Sequence, residues 1–256
     1  MGFFSFLDPV LNFVFGPLLT LPPFWAILVI SFIISIIIVL VYKFATNQKV
    51  MKELKEETKA LQKQMKELKD NPSKAMEVQK KAMQTNMQYM MKSMKPTLIT
   101  FIPIILIFGW LQAHFAFVPI MPGQDFSMTV EFEEGISGDI LAEAPEGINI
   151  DGPSTKKIED GKVVFTMRGQ EGVYRSPPVE FTVDGKTYSK PVIITNEKEY
   201  VEPVLSVNDD TVESITTSNE KRKILNLFGW KLGWLGTYII FAIIFSMILR
   251  KLLRVY

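Results

Sequence analysis

Residues 24–42 read FWAILVISFIISIIIVLVY, nineteen residues without a charge. As a helix this run rises about 28 Å, close to the roughly 30 Å hydrocarbon core of a bilayer. Trp25 and Tyr42 stand at its ends, where amphipathic rings favour the water–lipid boundary. A helix buried in a soluble protein seldom runs so long without a polar face. The run marks an integral membrane protein with a first span over 23–43.

Two further runs follow. PTLITFIPIILIFGWLQAHFAFVPI, residues 96–120, holds Pro96 and Pro103 near its start. Each proline removes a backbone donor, a cost that neighbouring helices offset in a membrane, so a kinked second span is expected over 96–118. LGWLGTYIIFAIIFSMIL, residues 232–249, precedes Arg250 and Lys251 and gives a third span over 232–252. Its glycines favour close helix packing.

Lysine placement sets the expected topology. Residues 1–42 contain no Lys or Arg, whereas residues 43–95 carry 13 lysines against 6 acids. The positive-inside rule makes this loop cytosolic, the N-terminus external and the C-terminus cytosolic, in a multi-pass protein of the cell membrane. Residues 123–220 then lie outside, with 8 basic and 20 acidic residues. Lys221, Arg222, Lys223 and Lys231 run against the rule. They are assigned to an interfacial helix over 219–231, with FGWKLGW in the headgroups. Residues 1–22 are apolar but broken by Pro9 and Pro17, and are expected to lie flat in the outer interface.

Residues 44–95 read as a lysine-rich helical hairpin. Val50, Leu54, Leu61, Met65 and Leu68 recur at helical spacing, and Asp70 to Ser73 breaks the pattern, with Ser73 as the expected cap of the second helix. That helix carries MQTNMQYMMKSM, residues 83–94. Met83, Met87, Met90 and Met94 form one stripe, with Met76 on it and Met91 beside it. Two readings stand: a coiled-coil core against the first helix, or an exposed surface. Methionine has three rotatable bonds and a polarizable sulfur, which suits a surface that must fit many apolar partners.

Beyond Met128, SMTVEFEEG, DGKVVFTMRG, VEFTVDGKTYSKPVIIT and EPVLSV alternate like strands between turn signals. They suggest a β-sandwich over 126–205. The expected fold class is therefore an α-helical integral membrane protein: three transmembrane helices, a cytosolic helical hairpin and a small extracytoplasmic β-sandwich insertion.

The chain lacks cysteine and has one histidine, His114, so disulfides, thiol catalysis and multi-histidine metal sites are excluded. It shows no nucleotide motif and no acid–base pair. No catalytic residue, metal or cofactor is expected, and the chain does not read as an enzyme.

The layout, with a methionine-rich helix entering MMKSMKPTLITFIPIILIFGWL, resembles the archaeal YidC-like proteins of the Oxa/YidC/Alb membrane insertase superfamily. The resemblance covers about residues 20–120 and 228–256, and the β-segment is a departure from it. It implies an insertase or chaperone with a polar groove that eases hydrophilic tails through the bilayer. Its implied partners are nascent membrane proteins and lipid, with the ribosome and other membrane subunits as further candidates. Bacterial members carry a groove arginine in the first span; this sequence has none there. Ser31, Ser35, Thr97, Thr100 and Ser246 are the expected polar groove residues, and Met83, Met87, Met90, Met91 and Met94 the expected substrate-binding ones. The bland alternative for the Ser and Thr residues is bonding to their own helix carbonyls. A small ion channel and a structural anchor for the β-domain are the rival functions.

Overall fold

The computed structural model describes residues 8–68, 71–207 and 209–255. It divides into two compact units, one formed by residues 1–109 with 235–256 and the other by residues 110–234.

The helical unit opens with α1 (Asp8–Phe15) and a 3-10 turn (Gly16–Thr20), within the expected interfacial segment; residues 1–7 of that segment lie outside the described residues. Then come α2 (Pro23–Ala45), α3 (Gln48–Glu67), α4 (Pro72–Phe115) and, at the far end of the chain, α5 (Trp234–Leu252). Three of these, α2, α4 and α5, are long and apolar enough to cross a membrane.

Aromatic contacts give their directions. Phe24 meets Phe241 at 5.5 Å and Phe32 meets Phe245 at 5.2 Å, while Arg250 lies 4.7 Å from the Tyr42 ring. The pairs advance together along both helices, so α2 and α5 run parallel. Phe108, near the end of α4, packs on Tyr238 near the start of α5 at 4.8 Å, so α4 runs opposite. Asn47 caps α3, its side chain accepting from the Lys49 and Val50 amides. The buried side of α3 is Met51, Leu54 and Leu61, whereas Val50, Met65 and Leu68 are only half-buried.

The second helix of the expected hairpin and the expected span over 96–118 are continuous. α4 is one helix of 44 residues with both prolines inside it. Its cap differs from expectation. Asn71, not Ser73, accepts from the Lys74 amide at 3.3 Å. Pro72 follows at the first helical position, where its missing N–H costs nothing. Two of the expected breaking residues thus become the start of the helix; Lys69 and Asp70 lie outside the described residues.

The second unit is built around two antiparallel sheets. One contains, in order, β3 (Ile148–Asp151), β5 (Lys162–Gly169), β1 (Asp125–Phe132), β9 (Val212–Thr217) and β8 (Val204–Ser206). The other contains β4 (Thr155–Lys157), β2 (Asp139–Glu143), β6 (Gly172–Val183) and β7 (Lys186–Ile194). In β1 the side chains alternate, with Phe126, Met128, Val130 and Phe132 buried. They join Phe165 and Phe181, whose rings meet at 5.6 Å from opposite sheets.

The sandwich reaches beyond the expected 205. β9 lies between β1 and β8, and its Val212 and Ile215 are fully buried. The acidic run around Asp209 and Asp210 hid this strand, because it reads as an exit from the domain rather than as a turn. The chain segments entering and leaving the sandwich zip together. The Val118 amide donates to the Glu220 carbonyl at 2.8 Å, and the Arg222 amide to the Ala116 carbonyl at 2.9 Å. The Tyr200 hydroxyl donates to the Gln112 carbonyl and accepts from the Ala116 amide. Burial pushes its pKa up to about 12.

The segment 219–231 is not a helix. It holds β10 (Leu225–Leu227) and β11 (Trp230–Leu232), which form a separate two-stranded hairpin. Gly229 and Gly233 each weaken a helix by about 1 kcal/mol, while Leu225, Leu227, Trp230 and Leu232 alternate with period two.

The position of β9 makes a direct prediction. A fragment spanning 116–222 is expected to unfold cooperatively in denaturant, followed by circular dichroism. A fragment ending at 205 lacks β9 and is expected to give no cooperative transition. Equal cooperativity in both fragments would show that β9 is dispensable to the core.

Candidate functional site

Two features of the helical unit gather the residues expected to act. The first is one face of α4. A buried side recurs along it: Ala75, Val78, Ala82, Thr85, Tyr89, Ser93, Pro96 and Thr100 are buried or half-buried at three- and four-residue steps. This is the spacing of one face of a helix. The residues are small or polar, so hydrophobicity alone did not mark them. An ion pair of Lys81 with Glu57, 3.6 Å apart, joins α4 to α3.

The methionines take a different face. Met83, Met87, Met90, Met91 and Met94 are all between 51% and 65% exposed, and Met76 is 70% exposed. The coiled-coil core reading therefore fails: α4 packs through its alanines, Val78, Thr85 and Tyr89 instead. At 3.6 residues per turn, Met83, Met87, Met90 and Met94 line up with Leu98, Phe101 and Ile105. Those three are also exposed, although they lie in the apolar segment. The helix is unbroken, so one apolar strip runs along it from the lysine-dotted arm into the span.

The second feature is a cavity of about 490 Å³ between α2 and α5, lined by Ser35, Ile38, Tyr238, Ile239, Ala242, Ile243, Ser246, Met247 and Arg250. Its lining is mainly apolar, with Ser35, Tyr238, Ser246 and Arg250 the residues that carry a hydroxyl or a charge. Ser246 and Arg250 are one turn apart on α5, which places both on the same side. Arg250 stacks over the Tyr42 ring, an attraction between a cation and the ring's negative face. Val39, Tyr42, Met51 and Val255, with Tyr89 and Leu249 against them, form a closed apolar cluster where four helices meet.

Of the five expected groove residues, the cavity brings together Ser35 and Ser246. Ser31 is buried and donates to the Ile27 carbonyl at 2.6 Å. Thr97 is exposed and donates to the Ser93 carbonyl at 2.8 Å; Thr100 is buried and donates to the Pro96 carbonyl at 3.1 Å. These three bond within their own helices. The sequence reading used Arg250 only as a topological charge and missed it as a lining residue. The one-turn spacing of Ser246 and Arg250 was the signal.

A family model described as "Integral membrane protein EMC3/TMCO1-like" matches residues 8–141, just over half of the chain. The chain belongs to this family. The family is part of the Oxa1/YidC/Alb3 insertase superfamily, and its members take part in membrane-protein insertion. The matched region holds α1 to α4, β1 and the start of β2. The rest of the sandwich and α5 lie beyond it. No curated protein and no solved structure matches the chain significantly.

The cysteine-free sequence allows the cavity to be probed residue by residue. In the membrane-embedded protein, Ser246→Cys is expected to react with a small charged thiol reagent several-fold faster than Ile244→Cys. Ile244 is exposed on the same helix but outside the cavity lining. Equal slow reaction at both positions would mean that water does not enter beside Ser246.

Proposed function

We propose that the protein is a membrane insertase and chaperone of the archaeal YidC-like type. It captures hydrophobic segments of nascent membrane proteins on the methionine face of α4 and passes them into the bilayer. The single observation that carries this reading is the exposed strip from Met83 to Ile105 on one continuous helix.

The physics of the strip is simple. An apolar segment in water gains about 25 cal/mol for each Å² it buries. The methionines offer that burial before the segment reaches lipid. Their unbranched side chains adapt to many shapes, so the surface does not demand one sequence. Leu98, Phe101 and Ile105 continue the same face at membrane depth. A bound segment moves along it without crossing a polar gap. The energy for transfer comes from burial in lipid.

The cavity supplies the second half of the mechanism. A hydrophilic tail accompanying the segment must cross hydrocarbon, and each unsatisfied polar group there costs several kcal/mol. Ser35 and Ser246 offer hydroxyls to such a tail. Arg250, at the C-terminal end of α5, supplies a positive charge that draws acidic tails; no first-span arginine is needed for that role. In this reading the lysine-rich hairpin and Arg250 face the cytosol and the sandwich faces outside, in the cell membrane. The parallel course of α2 and α5, with α4 opposed, fits three successive crossings, and the lysines of residues 43–95 set their direction.

The reading predicts how the stripe responds to substitution. Replacing Met83, Met87, Met90 and Met94 with leucine is expected to keep crosslinking to a stalled nascent chain within a few-fold, since such swaps cost less than about 1.5 kcal/mol each. Glutamine at the same four sites is expected to abolish it. The hairpin should stay folded in both variants, because all four methionines are exposed. Undiminished crosslinking in the folded glutamine variant rules out the capture role.

A further inference from the structure

The hairpin of β10 and β11 stands apart from both sheets of the sandwich. Its register pairs Leu225 with Leu232, Asn226 with Lys231 and Leu227 with Trp230. Residues directly opposite share a face, so Leu225, Leu227, Trp230 and Leu232 form one apolar side, and Asn226 with Lys231 the other. The apolar side is not folded into a core. Leu227 and Trp230 are exposed, and Phe228 at the tip is fully exposed.

Two physical costs accompany this arrangement. A lone two-stranded hairpin is marginally stable in water and needs a surface to pack on. The turn also places Phe228 at φ +50° beside Gly229 at φ +93°. Gly229 meets the left-handed requirement of such a two-residue turn without penalty, but a bulky phenylalanine does not. A strained, fully exposed aromatic at a hairpin tip has no role in the sandwich core.

The chain itself says what lies nearby. β11 ends at Leu232 and α5 begins at Trp234. Five residues separate Phe228 from Trp234, so the tip stays within about 20 Å of the start of the span even if fully extended. Tryptophan favours the headgroup boundary, and tryptophan, phenylalanine and leucine make up the apolar face of segments that lie in it. Lys221, Lys223 and Lys231 are exposed on and beside the hairpin, a charge complement to anionic headgroups.

We propose that the hairpin 225–232 is a membrane-surface anchor. Its apolar face, tipped by Phe228 and Trp230, is buried in the anionic headgroup layer of the leaflet where α5 begins. The lysines that run against the positive-inside rule are then anchor residues rather than topological signals. The anchor is an interaction with lipid, independent of the insertase reading.

The test uses full-length protein carrying one introduced cysteine, Phe228→Cys, labelled with an environment-sensitive fluorophore. The protein is reconstituted in phosphatidylcholine–phosphatidylglycerol vesicles. Ser154→Cys, exposed on the sandwich, is the reference. The anchor predicts a blue-shifted label at 228, strong quenching by shallow nitroxide lipids, and iodide quenching several-fold weaker than at 154. Vesicles of phosphatidylcholine alone should restore part of the iodide quenching. Iodide quenching at 228 equal to that at 154 would overturn the proposal. So would a blue-shifted label that nitroxide lipids leave untouched, since that label is covered by protein. No change on removing the anionic lipid would overturn the charge complement.

Discussion

Hydrocarbon offers a backbone no hydrogen-bond partners, so a chain that enters it must already carry its own. In this protein the span within α4 meets that constraint as a helix, and the same helix runs unbroken from Pro72 to Phe115. A loop at the membrane surface would have freed the arm to turn independently of the span. An unbroken helix cannot do this: each residue's direction is tied to every other by 100° per step. The exposed face of the arm and the exposed face of the span are therefore fixed in phase. The ion pair of Lys81 with Glu57 and the cluster around Tyr42, with Tyr89 against it, join other helices to this rod.

The same constraint explains why methionine stands where leucine is the commoner choice. The buried side of α4 carries small residues such as Ala75, Ala82 and Thr85. The outward side is free to serve a second purpose. Leucine there would give a stiffer, branched surface. Methionine keeps the apolar area while leaving the shape open. Charge is segregated in the same economical way: Arg250 lines the cavity, the arm lysines are solvated, and the sandwich is acidic.

Much of this was legible in the sequence, for definite reasons. The three apolar helices follow from uninterrupted hydropathy, and the sandwich strands from period-two alternation in β1, β5 and β7. What was missed depended on neighbours. The cap was expected at Ser73, yet Asn71 accepts from the Lys74 amide and Pro72 starts the helix. β9 was cut off by acidic residues that form a turn. FGWKLGW was read for its composition, which matches a membrane interface, while its alternation indicated strands. The methionine stripe was identified by spacing, but only the packed structure separated it from the Ala–Val–Thr–Tyr face one step away. The cavity united Ser35 with Ser246 and added Arg250, because α2 and α5 pack side by side despite being about 200 residues apart in the chain.

The central claim is that one helix face guides apolar segments from the arm into the bilayer. A photocrosslinker placed in turn at each position from Lys80 to Ile105, with a stalled nascent membrane protein as target, tests it most directly. The account predicts crosslinks at 83, 87, 90, 94, 98, 101 and 105, recurring at helical spacing across Pro96 without a gap, and weak signals at exposed off-face sites such as Gln84, Gln88 and Lys95. Crosslinks spread evenly around the helix, or confined to positions beyond 96, would contradict it.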